Sequence, residues 1–205
     1  MCKRLICLTS FAIGLALALA LGSTASADLA AHWKFEEGQG TTAFDSSGNG
    51  YDVTLVNDPV WVDGYDGGGL NTLDGGYGAI QGLYYDTTPL PDTTGLTVCA
   101  WIRTESSGGQ YIASFDRNEY WRLEINGEGG GPGQVGWDVY DDSGQIDHGS
   151  ETRVDDGEWH HVAGVYDNGT MTIYIDGNAE PSTTGGSTWG RWRSVRYGFI
   201  GKNSE

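Results

Sequence analysis

Cysteine is scarce in this sequence. Only three cysteines occur in 205 residues, and Cys2 and Cys7 lie in an apolar N-terminal stretch. If that stretch is removed, Cys99 remains alone, and an intrachain disulfide framework is excluded. The apolar and β-branched residues 96–98 and 100–102 predict a strand around it. We expect Cys99 to be a buried free thiol, with a reactive or intermolecular cysteine as the alternative.

Basic residues are also few. The chain has 11 Lys and Arg against 28 Asp and Glu, a net charge of −17. Loss of Lys3 and Arg4 with the N-terminal stretch leaves nine basic residues and a net charge of −19. This charge excludes attraction to nucleic acid or to an anionic membrane surface. It is compatible with calcium binding or with a merely soluble acidic surface.

Beyond the N-terminus, the sequence has no apolar run long enough to span a bilayer. Residues 5–21 are apolar, Lys3 and Arg4 precede them, and the small residues Ala25-Ser26-Ala27 follow. This pattern predicts a cleaved secretory signal over residues 1–27. A membrane anchor is the alternative, but the run is short for a span. We therefore expect one secreted or cell-surface domain, residues 28–205, with no membrane insertion after removal of the signal.

No segment after the signal has helical periodicity. Glycine is abundant at 34 residues, aromatic residues make up 12%, and strand-like runs recur roughly every 8–12 residues. This pattern is typical of an all-β, two-sheet antiparallel sandwich. The predicted strands include residues 29–36, 51–55, 96–103, 111–115, 119–125, 135–140, 146–154, 161–166, 170–175 and 195–200.

The clearest local prediction is a hairpin between residues 161 and 177. Asn168-Gly169 and Asp176-Gly177 tolerate the positive φ angles of tight turns. Since side chains alternate along a strand, Met171, Ile173 and Ile175 share one face. We expect this hairpin to lie near the middle of one sheet.

Four motifs in order resemble the laminin G-like jelly-roll family of the concanavalin A-like superfamily. The aromatic strand and turn at residues 33–40 precede DSSGNG at 45–50 and LTVCAWI at 96–102. WHHVA at 159–163 and YIDG at 174–177 complete the series. The resemblance implies a jelly-roll sandwich that acts as a binding module, but a shared fold alone does not fix function.

The C-terminus departs from the family pattern. The family closes with a further strand that carries an Ile-Asp-Glu-Val-like motif, whereas this sequence stops at Glu205. We therefore expect one or two C-terminal strands to be missing and a sheet edge to be exposed. The chain is then the N-terminal part of a larger surface or secreted protein.

The acidic residues do not form a pattern typical of a glycosidase. A retaining glycosidase needs two carboxylates about 5–5.5 Å apart in its groove. Glu119 and Glu124 have an odd spacing and point to opposite faces of a strand, whereas Glu128 follows Glu124 only within a turn sequence. The Glu-x-Asp-x-x-Glu cluster of the glucanase-type relatives is absent. We predict that this chain is not an enzyme.

Adjacent His160 and His161 invite a metal or acid–base interpretation. Neighbouring strand residues point to opposite faces, so the two imidazoles cannot bind one ion without a bulge. We expect a structural role for both.

The polar loop after residue 44 is the best candidate for a cation site. Asp45, Ser47 and Asn49 offer carboxylate, hydroxyl and amide oxygens within a glycine-rich turn. Calcium prefers such oxygen ligands, and similar domains hold a structural calcium. The alternative is an Asx turn, in which these side chains bond only to their own backbone.

Aromatic residues in loops are the best candidates for ligand binding. Trp189, Arg191 and Trp192 lie in one predicted loop, and Tyr84 and Tyr85 form a weaker second pair. Capping of the core is the alternative role for the loop tryptophans. The other tryptophans considered fall in predicted strands: Trp33, Trp101, Trp121 and Trp137.

These observations together predict a secreted, non-catalytic module that recognises carbohydrate or an extracellular or cell-surface protein. Two alternatives stay open. One is a structural or adhesion domain that binds no sugar, and the other is an accessory domain of a glycoside hydrolase whose catalytic part lies downstream.

Overall fold

The computed structural model describes residues 29–80, 95–115, 121–186 and 198–203, and these residues form strands and loops without a helix. None of the described residues therefore belongs to a helix that could cross a membrane. In chain order the strands are β1 (Thr42–Ala43), β2 (Val53–Val56), β3 (Val60–Asp63), β4 (Gly68–Asn71), β5 (Tyr77–Ile80), β6 (Gly95–Ile102), β7 (Gln110–Phe115), β8 (Trp121–Ile125), β9 (Gln134–Asp141), β10 (Gly144–Arg153), β11 (His160–Asp167), β12 (Thr170–Ile175), β13 (Asn178–Ala179), β14 (Thr183–Thr184) and β15 (Gly198–Ile200).

The strands form two main antiparallel sheets. The larger sheet has the order β1-β2-β5-β15-β7-β8-β9-β10, and the smaller has the order β13-β12-β11-β6 with β14 beside β12. β3 and β4 form a separate hairpin. The predicted all-β jelly-roll sandwich is confirmed, and the predicted signal over residues 1–27 lies outside the described residues.

The core lies between the two sheets because their inward-facing residues are apolar at every second position. The buried residues from the larger sheet include Trp121, Leu123, Ile125, Val135, Trp137 and Val139, and those from the smaller include Val162, Tyr166, Met171, Ile173 and Ile175. The two layers approach closely at Gly164, where a Cβ atom would lie 2.4 Å from Cδ2 of Trp137. A side chain at this position would therefore collide with the central tryptophan.

The hairpin prediction is confirmed in both strands and both turns. β11 pairs with β12 from Val162↔Ile175 to Asp167↔Thr170. Asn168 and Gly169 have φ angles of 45° and 84°, and Asp176 and Gly177 have 51° and 78°. These left-handed conformations are those that tight turns between twisted strands require. Met171, Ile173 and Ile175 are all buried, as their shared face predicts.

The predicted first strand, residues 29–36, is wrong. Only an isolated bridge between Trp33 and Asp45 occurs there. The backbone turns at Phe35, whose φ is 57°, and the amide of His32 donates to the Asp45 carboxylate rather than to a strand. Side-chain hydrogen bonds have replaced a sheet ladder in this segment.

The expected burial of Cys99 is also wrong. β6 alternates regularly, and Leu96, Val98 and Ile102 are the residues that pack against the core. Cys99 and Trp101 therefore point to the outer face, where both are exposed.

Candidate functional site

An exposed group of aromatic and basic side chains lies on the outer face of the smaller sheet. It consists of Tyr65, Trp101, Arg103, Trp159 and His161, and we call it the aromatic surface. Trp101 is on β6, directly opposite His161 of β11, so both point away from the core. Arg103 follows the end of β6 on the same face, because it is two residues beyond Trp101.

The rings of the aromatic surface are in mutual contact. Tyr65 stacks on Trp101 with ring centroids 3.5 Å apart and planes 6° apart. Trp159 meets Tyr65 edge-on at 6.4 Å, and His161 meets Trp101 edge-on at 5.3 Å. The rings stay open to solvent, since Tyr65 is 55% exposed and Trp101 is 43% exposed. A stacked aromatic pair of this exposure is available to a flat ligand.

The β3–β4 hairpin places Tyr65 against the sheet. Its turn is closed by the amide of Gly64, which donates to the Gly67 carbonyl at 2.9 Å. Gly67 has a φ of 80°, and a Cβ atom on Gly64 would lie 2.2 Å from the Gly68 carbonyl oxygen. The turn therefore requires glycine at both positions, and Tyr65 protrudes between them.

A second loop places Trp159. The amide of Gly157 donates to the Thr104 carbonyl at 3.0 Å, which ties this loop to the end of β6. The next residue after Trp159, His160, is held on both sides: Nδ1 lies 2.8 Å from Asp176 and Nε2 lies 3.1 Å from Asp156. Partial burial lowers the pKa of His160, but the hydrogen bonds and charges of Asp176 and Asp156 outweigh it and raise the pKa above its usual value. His160 thus fixes the loop, in agreement with the structural role predicted for it.

Arg103 is the basic residue of the aromatic surface. Its guanidinium carbon lies 5.1 Å from the centroid of Trp159, the distance of a cation–π contact. In the described part of the chain, no carboxylate lies within ion-pair distance of this guanidinium. Its donors therefore face solvent beside the exposed rings.

A second polar cluster lies on the other sheet and is enclosed. Arg122 of β8 faces Asp138 of β9, with Nη2 2.6 Å and Nε 2.9 Å from Oδ2 of Asp138. Its Nε is also 3.0 Å from Glu124. Asp138 is 0% exposed and Glu124 is 2% exposed. Burial and the charge of Glu124 raise the pKa of Asp138 to about 9, although Arg122 opposes the shift.

The raised pKa values predict that the two carboxyl groups of this buried charge cluster hold one proton at neutral pH. One guanidinium balances only one of the two carboxylates, and burial raises the pKa of both groups. The backbone at Gly127 covers Glu124 so closely that a Cβ atom there would overlap Oε1 of Glu124. A substrate therefore does not reach this acid pair in the described conformation.

Sequence reasoning missed this acid pair because it looked for the partner of Glu124 along one strand. Glu119 lies outside the described residues, and the acid that contacts Glu124 is Asp138 on the neighbouring strand. Arg122 and Glu124 are two residues apart on one predicted strand, so their side chains share a face. This charged pair on one face was the signal in the sequence that could have indicated the cluster. Only the register Arg122↔Asp138 brings the third residue into place.

The predicted calcium loop is hydrogen-bonded within itself. Asp45 accepts hydrogen bonds from the amides of His32, Ser47 and Tyr51 and from the Ser47 hydroxyl. Burial raises the pKa of Asp45, but these hydrogen bonds together lower it to about 2. The Asn49 amide donates to the carbonyls of Leu29 and Ala30.

This bonding is that of an Asx turn, and it occupies both carboxylate oxygens of Asp45. In the four described segments, no three His, Cys, Asp or Glu side chains are grouped as metal ligands would be. Calcium at Asp45, Ser47 and Asn49 stays a prediction.

The predicted ligand-binding residues cannot be compared with the aromatic surface. Tyr84, Tyr85, Trp189, Arg191 and Trp192 all lie outside the described residues. Sequence reasoning missed Tyr65, Trp101 and Trp159 as surface residues. The even-numbered apolar residues of β6 were the signal that could have assigned Trp101 to the outer face.

Comparison with known proteins agrees with this architecture. The Laminin_G_3 family model, described as the concanavalin A-like lectin/glucanases superfamily, matches residues 74–204. No curated protein sequence matches the chain significantly.

Similar solved structures share the fold at low sequence identity. Domain 4 of the GH43 extracellular arabinanase AbnA from Geobacillus stearothermophilus, in complex with arabinotriose, has a TM-score of 0.61 and 16% identity, with 83% of this chain and 81% of that chain covered. The binding domain of Paraclostridial Mosquitocidal Protein 1 has a TM-score of 0.60 and 15% identity, with 81% and 43% covered. The receptor binding domain of botulinum neurotoxin D has a TM-score of 0.54 and 17% identity, with 80% and 43% covered. The chain therefore spans less than half the length of these two toxin domains.

Proposed function

Because this chain belongs to the laminin G-like family of the concanavalin A-like superfamily, we propose that it is a secreted, non-catalytic module that binds carbohydrate through its aromatic surface. The observation behind the proposal is the exposed stack of Tyr65 on Trp101. A sugar ring presents an apolar face that packs on an aromatic ring, and its hydroxyl groups need polar partners at the edge. Arg103, which lies against Trp159, supplies hydrogen-bond donors of this kind.

The structural relatives support the same class of function. The arabinanase domain that covers most of this chain was solved with arabinotriose, and the two toxin domains are binding domains by description. These likenesses establish a shared fold, and loops decide what each domain binds. The ligand class therefore follows from the aromatic surface rather than from the relatives.

The lack of catalysis is part of the proposal and has its own support. Of the described acids, Glu124 and Asp138 most resemble the carboxylate pair of a glycosidase, but both are buried and both contact Arg122. A general acid and a nucleophile must both contact the substrate. Hydrolysis of any polysaccharide by the purified chain would contradict this part of the proposal.

The site is tested by binding to a glycan array that includes arabinotriose, followed by calorimetry on the best ligand. Trp101→Ala and Tyr65→Ala should each weaken binding about tenfold, because each removes part of the ring stack. Tyr140→Ala, which changes an exposed aromatic residue on β9 of the other sheet, should leave affinity unchanged. Circular dichroism of each variant checks that the fold is kept.

Two results would contradict the proposed site. Full affinity in the Trp101→Ala and Tyr65→Ala variants would exclude the aromatic surface. Loss of binding in a Trp189→Ala/Trp192→Ala variant with full affinity in Trp101→Ala would move the site to the predicted loop. Binding of an extracellular protein and of no glycan would replace the ligand class.

A further inference from the structure

We infer that the aromatic surface selects neutral glycans and rejects acidic ones. This inference rests on the proposed function and concerns the charges that surround the rings. Asp66 directly follows Tyr65, and Glu158 directly precedes Trp159. Both side chains are exposed, so each places a solvated carboxylate one residue along the chain from a ring of the aromatic surface.

Glu105 adds a third carboxylate. A Cβ atom on Gly157 would lie 3.0 Å from its Oε1, which places Glu105 against the loop that holds Trp159. Arg103 contributes the positive charge on this face. One guanidinium and these three carboxylates together carry a net charge of −2, within a chain whose net charge is −17.

Arg103 does not reverse the sign of the local field. Its guanidinium stacks against Trp159 and makes no ion pair within the described segments, so it can donate hydrogen bonds to sugar hydroxyls. The carboxylates can accept hydrogen bonds from hydroxyls. A neutral polyhydroxylated ring satisfies both kinds of group, whereas a uronate places its own carboxylate among three others.

The expected discrimination follows from the charge. A net charge of −2 at about 8–10 Å from a bound carboxylate, in a water-like dielectric at low salt, disfavours a uronate by roughly fivefold relative to a neutral sugar. The effect should weaken as salt is added, because the screening length is about 8 Å at physiological ionic strength and about 3 Å at 1 M. Asp66 and Glu158 are then the residues that determine the specificity.

The test compares neutral oligosaccharides with hexuronates by calorimetry on the full chain. The neutral probes are arabinotriose, cellohexaose, mannohexaose and xylohexaose, and the acidic probes are hexamers of galacturonate, mannuronate and guluronate. At low salt we expect at least one neutral probe to bind and every acidic probe to bind about fivefold more weakly or not at all. In 1 M NaCl the difference in affinity between the neutral and the acidic probes should become smaller.

A charge-removing double variant tests the residues. Asp66→Asn/Glu158→Gln keeps an acceptor oxygen at each position, so affinity for the neutral probe should stay within about twofold. Affinity for the hexuronates should rise at least about threefold, because two of the three carboxylates are gone. Glu151→Gln on β10 of the other sheet removes one exposed acid as a control and should change neither affinity.

The outcomes separate this inference from the proposed function. One outcome is that hexuronates bind as tightly as neutral probes and that Trp101→Ala abolishes this binding. It would overturn the proposed selectivity but would leave the proposed binding function standing. A double variant with the same preference as the wild type would also overturn the role of Asp66 and Glu158. No binding of any probe would count against the proposed function and against the inference with it.

Discussion

The raised pKa values of the buried pair Glu124 and Asp138 make stability depend on pH, and one substitution should remove this dependence. Both carboxyl groups are nearly free of solvent contact, and Arg122 balances one negative charge between them. In the unfolded chain both groups ionise near pH 4. In the folded chain one proton is retained, because burial and the second carboxylate raise the pKa of Asp138 to about 9.

The sign and size of the effect follow from the number of bound protons. Between about pH 4 and pH 9 the folded state holds one proton more than the unfolded state, so unfolding free energy falls as pH rises. The contribution is fully present below the unfolded pKa and is lost as pH rises through the folded pKa. One proton corresponds to about 1.36 kcal/mol per pH unit, or at most about 2.7 kcal/mol between pH 5.5 and 7.5.

Glu124→Gln replaces the shared proton with an amide. The Gln side chain can donate a hydrogen bond to Asp138 at any pH, and Asp138 then stays ionised beside Arg122. Urea unfolding of the wild type and of this variant at half-unit steps from pH 5.5 to 8 measures both slopes. The variant should have the shallower slope and the higher relative stability at pH 8.

The difference between the pH slopes of the wild type and of Glu124→Gln isolates the contribution of the acid pair. His160 also has a raised pKa, so its contribution is lost as pH rises, but this occurs equally in both proteins and cancels. Glu151→Gln, an exposed change on β10, is the charge-matched control and should keep the wild-type slope. Equal slopes for the wild type and Glu124→Gln would refute the shared proton.

Two further predictions follow from the core and from the Asp45 loop. Gly164→Ala should lower the unfolding free energy by about 1–3 kcal/mol, measured by urea denaturation, because its methyl group collides with Trp137. Gly109→Ala is the control, since a Cβ atom there has no contact closer than 3.8 Å. An effect of Gly164→Ala no larger than that of the control would contradict the tight approach of the two sheets. If Asp45 binds calcium, added calcium should raise the melting temperature of the wild type relative to chelator but not that of Asp45→Ala. If the loop is only an Asx turn, calcium should have no effect, and Asp45→Ala should still cost about 1–3 kcal/mol through the amides it leaves unpaired.

The sequence predicts the strands of this fold wherever alternation is regular. β6 to β12 fall within a few residues of their predicted positions in the described segments, because one side of each strand must face the core. The same rule fails for residues 29–36, whose alternation is just as clear. There the polar side chain of Asp45 satisfies the backbone, and a left-handed Phe35 breaks the extended run.

The candidate site depended on information that alternation does not contain. Periodicity divides β6 into two faces but does not say which face is inside when both include large apolar residues. Cys99 was therefore expected inside, whereas Leu96 and Val98 of the opposite face pack against the core. The stack of Tyr65 on Trp101 joins residues from distant segments, and only tertiary packing brings them together.

The position of β15 has a consequence for how the chain folds. This strand lies between β5 and β7, and Phe199 pairs with Ala79 on one side and Ser114 on the other. The hydroxyl of Ser114 also donates to the carbonyl of Lys202, 88 residues away. The centre of the larger sheet therefore stays open until residues near 200 have been synthesised, and closure must wait for contacts between distant segments. Folding of such a topology is slow, because pairings between residues far apart in the sequence must form before the larger sheet is continuous.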